Sequence, residues 1–228
     1  MLKKEQFLPA ITTTEGSDWK EKIKEADELN LKRVAIFVTC LEKKQRKEMY
    51  KLLKNSGITE IPFVHLRTDM KPKEIKYLVR HFKTQAFNIH SQARHPLQHD
   101  YSKYRDMIYV ENVYPLFNEK EIKEFAGICL DMSHLENDRM LNQETFDNIV
   151  SMLKKYPVGC NHVSAIRENT FFDEESKKDI FACHYFENLN EFDYLKKYPE
   201  SYFSNFIAIE VENTLKEQLK VIDYILNL

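Results

Sequence analysis

The sequence predicts an α/β chain closed into a single (β/α)8 barrel, and three observations carry that expectation. Strand-like and helix-like segments alternate with hardly a break, which is the pattern of a parallel sheet with crossover helices. Eight short apolar runs have strand character, the number a closed barrel needs. Six of the runs end in His, Asp or Glu: 62–65, 87–90, 108–111, 127–131, 160–162 and 206–210. A parallel strand buried on both faces reads as a short continuous apolar run, so its first polar side chain marks where it leaves the sheet.

In order, residues 7–13 form the first expected strand. An amphipathic helix over 19–30 follows, opened by Ser17 and Asp18 as candidate caps. Residues 33–39 are the second strand, 42–55 a charged helix, and Gly57 its stop signal. Strands over 61–67 and 86–90 flank a helix over 72–82, whose Pro72 suits a first turn. The fifth strand is 107–112, and only a short helical piece near 118–125 separates it from the sixth, which opens at Gly127. A helix over 145–156, a strand over 159–165, a rim loop over 166–185, a strand over 206–211 and a helix over 215–228 complete the chain. Within the strands, the period of two turns Phe63, Asn88, Tyr109, Cys129, Cys160 and Ala208 inward beneath the terminal polar residues. This is the expected TIM barrel, a single domain over 1–228.

Composition narrows the function classes. Lys and Arg number 34 against 36 Asp and Glu, a net charge of −2 with both signs interspersed, so no basic face marks a nucleic-acid surface. No segment approaches the roughly 18 apolar residues that span a bilayer. The N-terminal Met-Leu-Lys-Lys-Glu-Gln-Phe lacks an export signal, and Cys40, Cys129, Cys160 and Cys183 have no CxxC spacing. A cytoplasmic protein with buried, reduced thiols is the expectation. The four glycines are at 16, 57, 127 and 159. None follows the last two strands, so a backbone phosphate cradle is not expected there, and a phosphorylated substrate would need Lys or Arg side chains.

Active sites of such barrels lie at the C-terminal ends of the strands, where His65, His90, Glu111, Asp131, His162 and Glu210 all fall. His134 follows Asp131 by three places. Imidazoles and carboxylates converging on one rim are the ligands of a divalent metal such as Mn, Zn, Mg or Co, which also relieves the repulsion between the carboxylates. Taken singly, each is also explained as a structural polar group at a strand end.

Val110-Glu111-Asn112, Cys129-Leu130-Asp131-Met132-Ser133-His134, Asn161-His162-Val163-Ser164 and Ile209-Glu210-Val211-Glu212-Asn213 together resemble the xylose-isomerase-like TIM-barrel superfamily. That group includes sugar isomerases and epimerases and the endonuclease-IV-type AP endonucleases. The resemblance follows strand order over nearly the whole chain. It implies that Glu111, Asp131, His162 and Glu210 hold a shared metal with His134 beside it.

In the isomerase and epimerase branch, the resemblance implies a small carbohydrate substrate, a sugar or sugar phosphate, with Glu111 and Glu210 handling the proton. His134 and Arg167 would contact substrate oxygens. In the nuclease branch, His65 and His90 resemble ligands of a second zinc bridged by Glu111. His184 resembles a third-zinc histidine whose usual aspartate partner is replaced by Ala182, which leaves a third metal unsupported. Isomerisation or epimerisation is the expected function; phosphodiester hydrolysis on abasic DNA and a non-catalytic metal-binding barrel are the alternatives. His81, His95 and His99 read as surface residues, although the connection carrying His95 and His99 could cover the barrel mouth. Phe171 and Phe172 read either as a lid or as packing for their loop.

Overall fold

The first strand, β1 (Phe7–Ile11), pairs in parallel with the second and with the last strand of the barrel, and those two pairings close the sheet. In the computed structural model, which describes residues 2–113, 117–174 and 177–228, the strands are β2 (Ala35–Phe37), β3 (Phe63–His65), β4 (Ala86–Ile89), β5 (Ile108–Glu111), β6 (Gly127–Asp131), β7 (Val158–Val163), β8 (Ala165–Asp173), β9 (Lys178–Cys183) and β10 (Ile207–Ile209). The ring runs β1-β10-β7-β6-β5-β4-β3-β2, eight parallel strands in a TIM barrel, as the alternation predicted.

Seven α-helices are present among the described residues: α1 (Trp19–Glu28), α2 (Lys43–Asn55), α3 (Pro72–Phe82), α4 (Glu119–Glu124), α5 (Met132–Leu141), α6 (Gln143–Leu153) and α7 (Leu215–Ile225). Their ends follow from local chemistry. Asp18 caps α1 by accepting from the amides of Lys20 and Glu21 at 3.0 Å each. Thr214 and Glu217 form a reciprocal capping box on α7. Pro72 occupies the first turn of α3, and Lys83 ends that helix in the left-handed region at φ 56°.

Two cores result. Between strands and helices, residues such as Ile36, Val64, Leu78, Leu130 and Ile222 form the outer core. Inside the ring, Leu8, Ala10, Ala35, Phe37, Phe63, Ala86, Cys129, Cys160 and Ala208 fill the barrel, with Tyr109 and Phe206 packed against them. The inward set expected from the period of two is therefore found there, with Asn88 the polar member, bonded to Glu111 at 2.6 Å. Gly159 is required where it stands: a Cβ there would overlap the Tyr109 ring.

Four expectations are corrected. The stretch after Asp131 is a helix, α5, so His134 stands on its first turn and the expected helix over 145–156 is the second of two. The expected loop over 166–185 is largely an antiparallel hairpin of β8 and β9; residues 175 and 176 lie outside the described residues. Tyr185-Phe186 and Phe192-Tyr194-Leu195, which the sequence reads as anchors of a seventh helix, are buried except for Tyr185, but the last three sit on a 3-10 helix (Leu189–Lys197). Finally, Cys129 and Cys160 are fully buried, whereas Cys40 is exposed and Cys183 half-buried.

Candidate metal centre

The strands β3, β5 and β6 end on His65, Glu111 and Asp131, β7 carries His162 as its last residue but one, and β4 and β10 are followed by His90 and Glu210, which brings these side chains together above the barrel interior. Glu111, the last residue of β5, lies at the middle. Its Oε2 accepts from Asn88 Nδ2 at 2.6 Å and lies 3.1 Å from His65 Nε2 and 3.6 Å from His90 Nε2. Its Oε1 faces His162 Nδ1 at 3.5 Å and His134 Nδ1 at 4.0 Å. Thus one carboxylate touches both histidine groups predicted for separate metals.

Asp131 is oriented by its position at a strand-to-helix junction. It caps α5: Oδ1 accepts from the amide of His134 at 2.8 Å and from Ser133 Oγ at 2.6 Å. Asn112 brackets its backbone with two hydrogen bonds, at 2.9 and 2.6 Å. Ser164 in turn donates to Ser133 at 2.6 Å, and Tyr194 donates to the Ser164 carbonyl at 3.0 Å. One oxygen of Asp131 is therefore committed to the helix, and the other, Oδ2, points toward His134 Nδ1 at 3.7 Å and His162 Nδ1 at 3.8 Å.

His162 is enclosed by the rings of Phe37, Phe63 and His65, with centroids at 4.8, 5.3 and 5.5 Å. Its Nδ1 also faces Glu210 Oε2 at 3.0 Å. Yet Asp131 Oδ2, Glu210 Oε2 and both nitrogens of His162 are buried without a hydrogen bond. Such groups normally find partners, because leaving one unpaired costs about 1–3 kcal/mol. Here the lone pairs of two acids and an imidazole converge on one another, the arrangement a cation satisfies. Donor atoms of His65, His90 and Glu111, of Glu111, Asp131 and His134, and of Asp131, His162 and Glu210 lie within 4.8 Å of each other in each group.

The electrostatics agree with that donor set. Burial opposes ionisation of Glu111 and Glu210, but His162 holds the former well below the usual range and brings the latter down to about 2. Burial likewise opposes charge on His162, but the acidic groups around it raise it well above the ordinary value. The cluster is thus a set of carboxyl groups held low around one buried imidazole, a surrounding that favours positive charge. His90, by contrast, is pushed down to about 3 by burial, leaving a neutral imidazole suited to ligation.

A cleft of about 570 Å³ opens above these groups, lined by His65, His90, Glu111, His134, His184 and Glu210 among others. His184 is fixed by the Glu210 carbonyl at 3.2 Å, and Ala182 also lines the cleft. Arg167 is bound by Glu191 at 3.1 Å and Glu187 at 3.4 Å and stands beside Cys183 rather than on the cleft wall itself. His95, read as a surface residue, reaches the cleft and packs on His90 with ring centroids 5.2 Å apart. Phe171 lines it, while Phe172 is exposed on the same hairpin. Asn88, Asn112 and Ser133 are supporting residues that the strand-end pattern did not single out. The signal for the last was local, a cap at Asp131 followed two residues later by a hydroxyl.

No protein-family model matches the chain, and no curated protein matches it in sequence. Among solved structures, it is similar to thiamine phosphate pyrophosphorylase from Pyrococcus furiosus, with 12% identity, 98% of each chain covered and a TM-score of 0.48. The fold stands on the strand register described above. No helix among the described residues is long and apolar enough to cross a membrane.

Proposed function

We propose that this barrel is a divalent-metal-dependent isomerase or epimerase acting on a small sugar or sugar phosphate, in the manner of the xylose-isomerase-like superfamily. The observation that carries the reading is the convergence of Asp131 Oδ2, Glu210 Oε2 and His162 Nδ1, buried and lacking hydrogen bonds, beside Glu111. Glu111, Asp131, His162 and Glu210 would hold the ion, with Mn, Zn, Mg or Co as candidates. When bound, the ion supplies Lewis-acid polarisation of a substrate carbonyl.

The protein's own residues then account for the proton transfers. Glu210, on the cleft wall, would take a proton from the carbon beside the carbonyl. Glu111 approaches from β5, on another side of the ring, and its carboxylate is steadied by Asn88 and His65. Two carboxylates on different sides suit removal and return of a proton at neighbouring carbons or opposite faces. His134, half-buried beside Glu111 and Asp131, is placed to hydrogen-bond a substrate hydroxyl.

Glu210→Gln is expected to lower turnover by about 10²–10⁴-fold with an unchanged circular-dichroism spectrum. Activity at the wild-type level on a sugar that the parent isomerises would refute the assignment. A second reading, a zinc phosphodiesterase acting on abasic DNA, is supported by the close His65, His90 and Glu111 group, where the two Nε2 atoms are 3.0 Å apart. Metal content of untagged protein purified without chelator separates the two readings. About one equivalent per chain supports the isomerase; two or more of zinc, lost on replacing His65 or His90, supports the phosphodiesterase.

A further inference from the structure

Beneath the rim, one side chain has chemistry that the proposed mechanism leaves unused. Cys129 is the direct neighbour of Glu111 across the β5-β6 pairing and of Cys160 across the β6-β7 pairing. It lies two residues before Asp131 on the same strand, so both side chains face the barrel interior at successive levels. Cys129 Sγ, a Glu111 carboxylate oxygen and a His162 ring nitrogen lie within 4.8 Å of one another, all fully or almost fully buried. His162, which joins this group to the Asp131 and Glu210 group, has neither nitrogen hydrogen-bonded.

We propose that Cys129 is a further ligand of the metal centre, acting from the barrel side of Glu111 and His162, and that its sulfur selects zinc or a similarly thiophilic ion over magnesium. The inference rests on the metal-site reading above and deepens it by naming the class of ion. A thiolate is a soft donor that favours zinc and cobalt, whereas magnesium demands hard oxygen donors and retains its waters. A small apolar residue would fill the barrel as well as cysteine does, as Ala208 and Ala86 do in the same interior cluster. Coordination requires the thiolate, so the thiol proton is released as the metal binds and leaves through the cleft that Glu111 lines.

The test is X-ray absorption at the zinc edge on the full-length, zinc-loaded protein kept reduced. The expected result is one sulfur at about 2.3 Å among nitrogen and oxygen ligands at about 2.0–2.2 Å. Bound zinc with no sulfur in its shell would overturn the proposal and leave the oxygen and nitrogen site intact; failure to bind zinc would overturn both. A parallel titration with cobalt assigns the sulfur. Wild type and Cys160→Ser should show a near-ultraviolet thiolate-to-cobalt band, and Cys129→Ser should lose it while keeping the visible bands of bound cobalt. Zinc affinity of Cys129→Ser should fall about tenfold or more, with magnesium affinity little changed. Persistence of the near-ultraviolet band in Cys129→Ser would sink the assignment.

Discussion

Ser133 bears on the site although it faces no ligand. Its hydroxyl and the His134 amide together occupy Asp131 Oδ1, which is why Oδ2 is the oxygen left to face His162. Ser133→Ala should let the carboxylate rotate, lowering metal affinity by about 10–100-fold with the fold retained, as a calorimetric metal titration would measure. Asp138, one turn beyond His134, behaves differently. Burial pushes its carboxyl up to about 6 from 3.8, against the pull of His134 and Lys178. A carboxyl whose folded value is raised binds more protons in the folded state, so its stabilising contribution is present below pH 3.8. That contribution is lost as the pH rises through about 6. A shift of this size corresponds to about 3 kcal/mol, and partial solvent access reduces it to about 1–2. Asp138→Asn should therefore stabilise the protein by that amount at pH 7 and by almost nothing at pH 4, read from denaturant unfolding at each pH.

At the scale of elements, β7 is shaped by what crosses the barrel floor. The Tyr109 ring from β5 lies where a Cβ of residue 159 would be, so Gly159→Ala must displace the ring or the strand that carries His162. Overpacking of this kind costs about 1–3 kcal/mol, measurable by denaturant unfolding, and should weaken metal binding as well. The elements that sequence reasoning missed have physical reasons. α5 lacks an apolar stripe because its buried face carries Glu136, Asn137 and Asp138. These are tolerated because the surrounding structure supplies partners: Arg139 and Tyr198 bind Glu136, and the Phe181 amide donates to Asn137 at 2.8 Å. A helix buried through polar contacts shows no period in hydrophobicity. The β8-β9 hairpin was hidden for a related reason, since most of β8 is exposed and its pairing is irregular between Ile166 and Phe171. Arg167 on that strand is drawn to Glu191, which residue type alone could not indicate.

For the whole molecule, the proposed metal centre would join β5, β6, β7 and the residue after β10, which are distant in sequence. An ion held by Glu111, Asp131, His162 and Glu210 binds the folded chain alone and ties half the ring together. At a hundredfold excess over its dissociation constant, it would add about 2.7 kcal/mol. For a chain of this size, that corresponds to a rise in Tm of about 5–10 °C on loading, reversed by chelator and monitored by differential scanning calorimetry. Absence of any shift with Mn, Zn, Mg or Co would count against the centre.

The barrel and the identity of its rim residues were written in the sequence itself. Short, largely apolar runs are buried on both faces only in a covered parallel sheet, and the titratable residue that closes each run falls at or next to the end of its strand. His65, His90, Glu111, Asp131, His162 and Glu210 were therefore legible before any coordinates. Tertiary structure alone decided which atoms meet. Glu111 is shared between two histidine groups, one oxygen of Asp131 is spent on α5, and Cys129 comes within reach of His162 from below. These relations depend on cross-strand register and side-chain direction between segments tens of residues apart. Strand periodicity, a local property, carries no record of them.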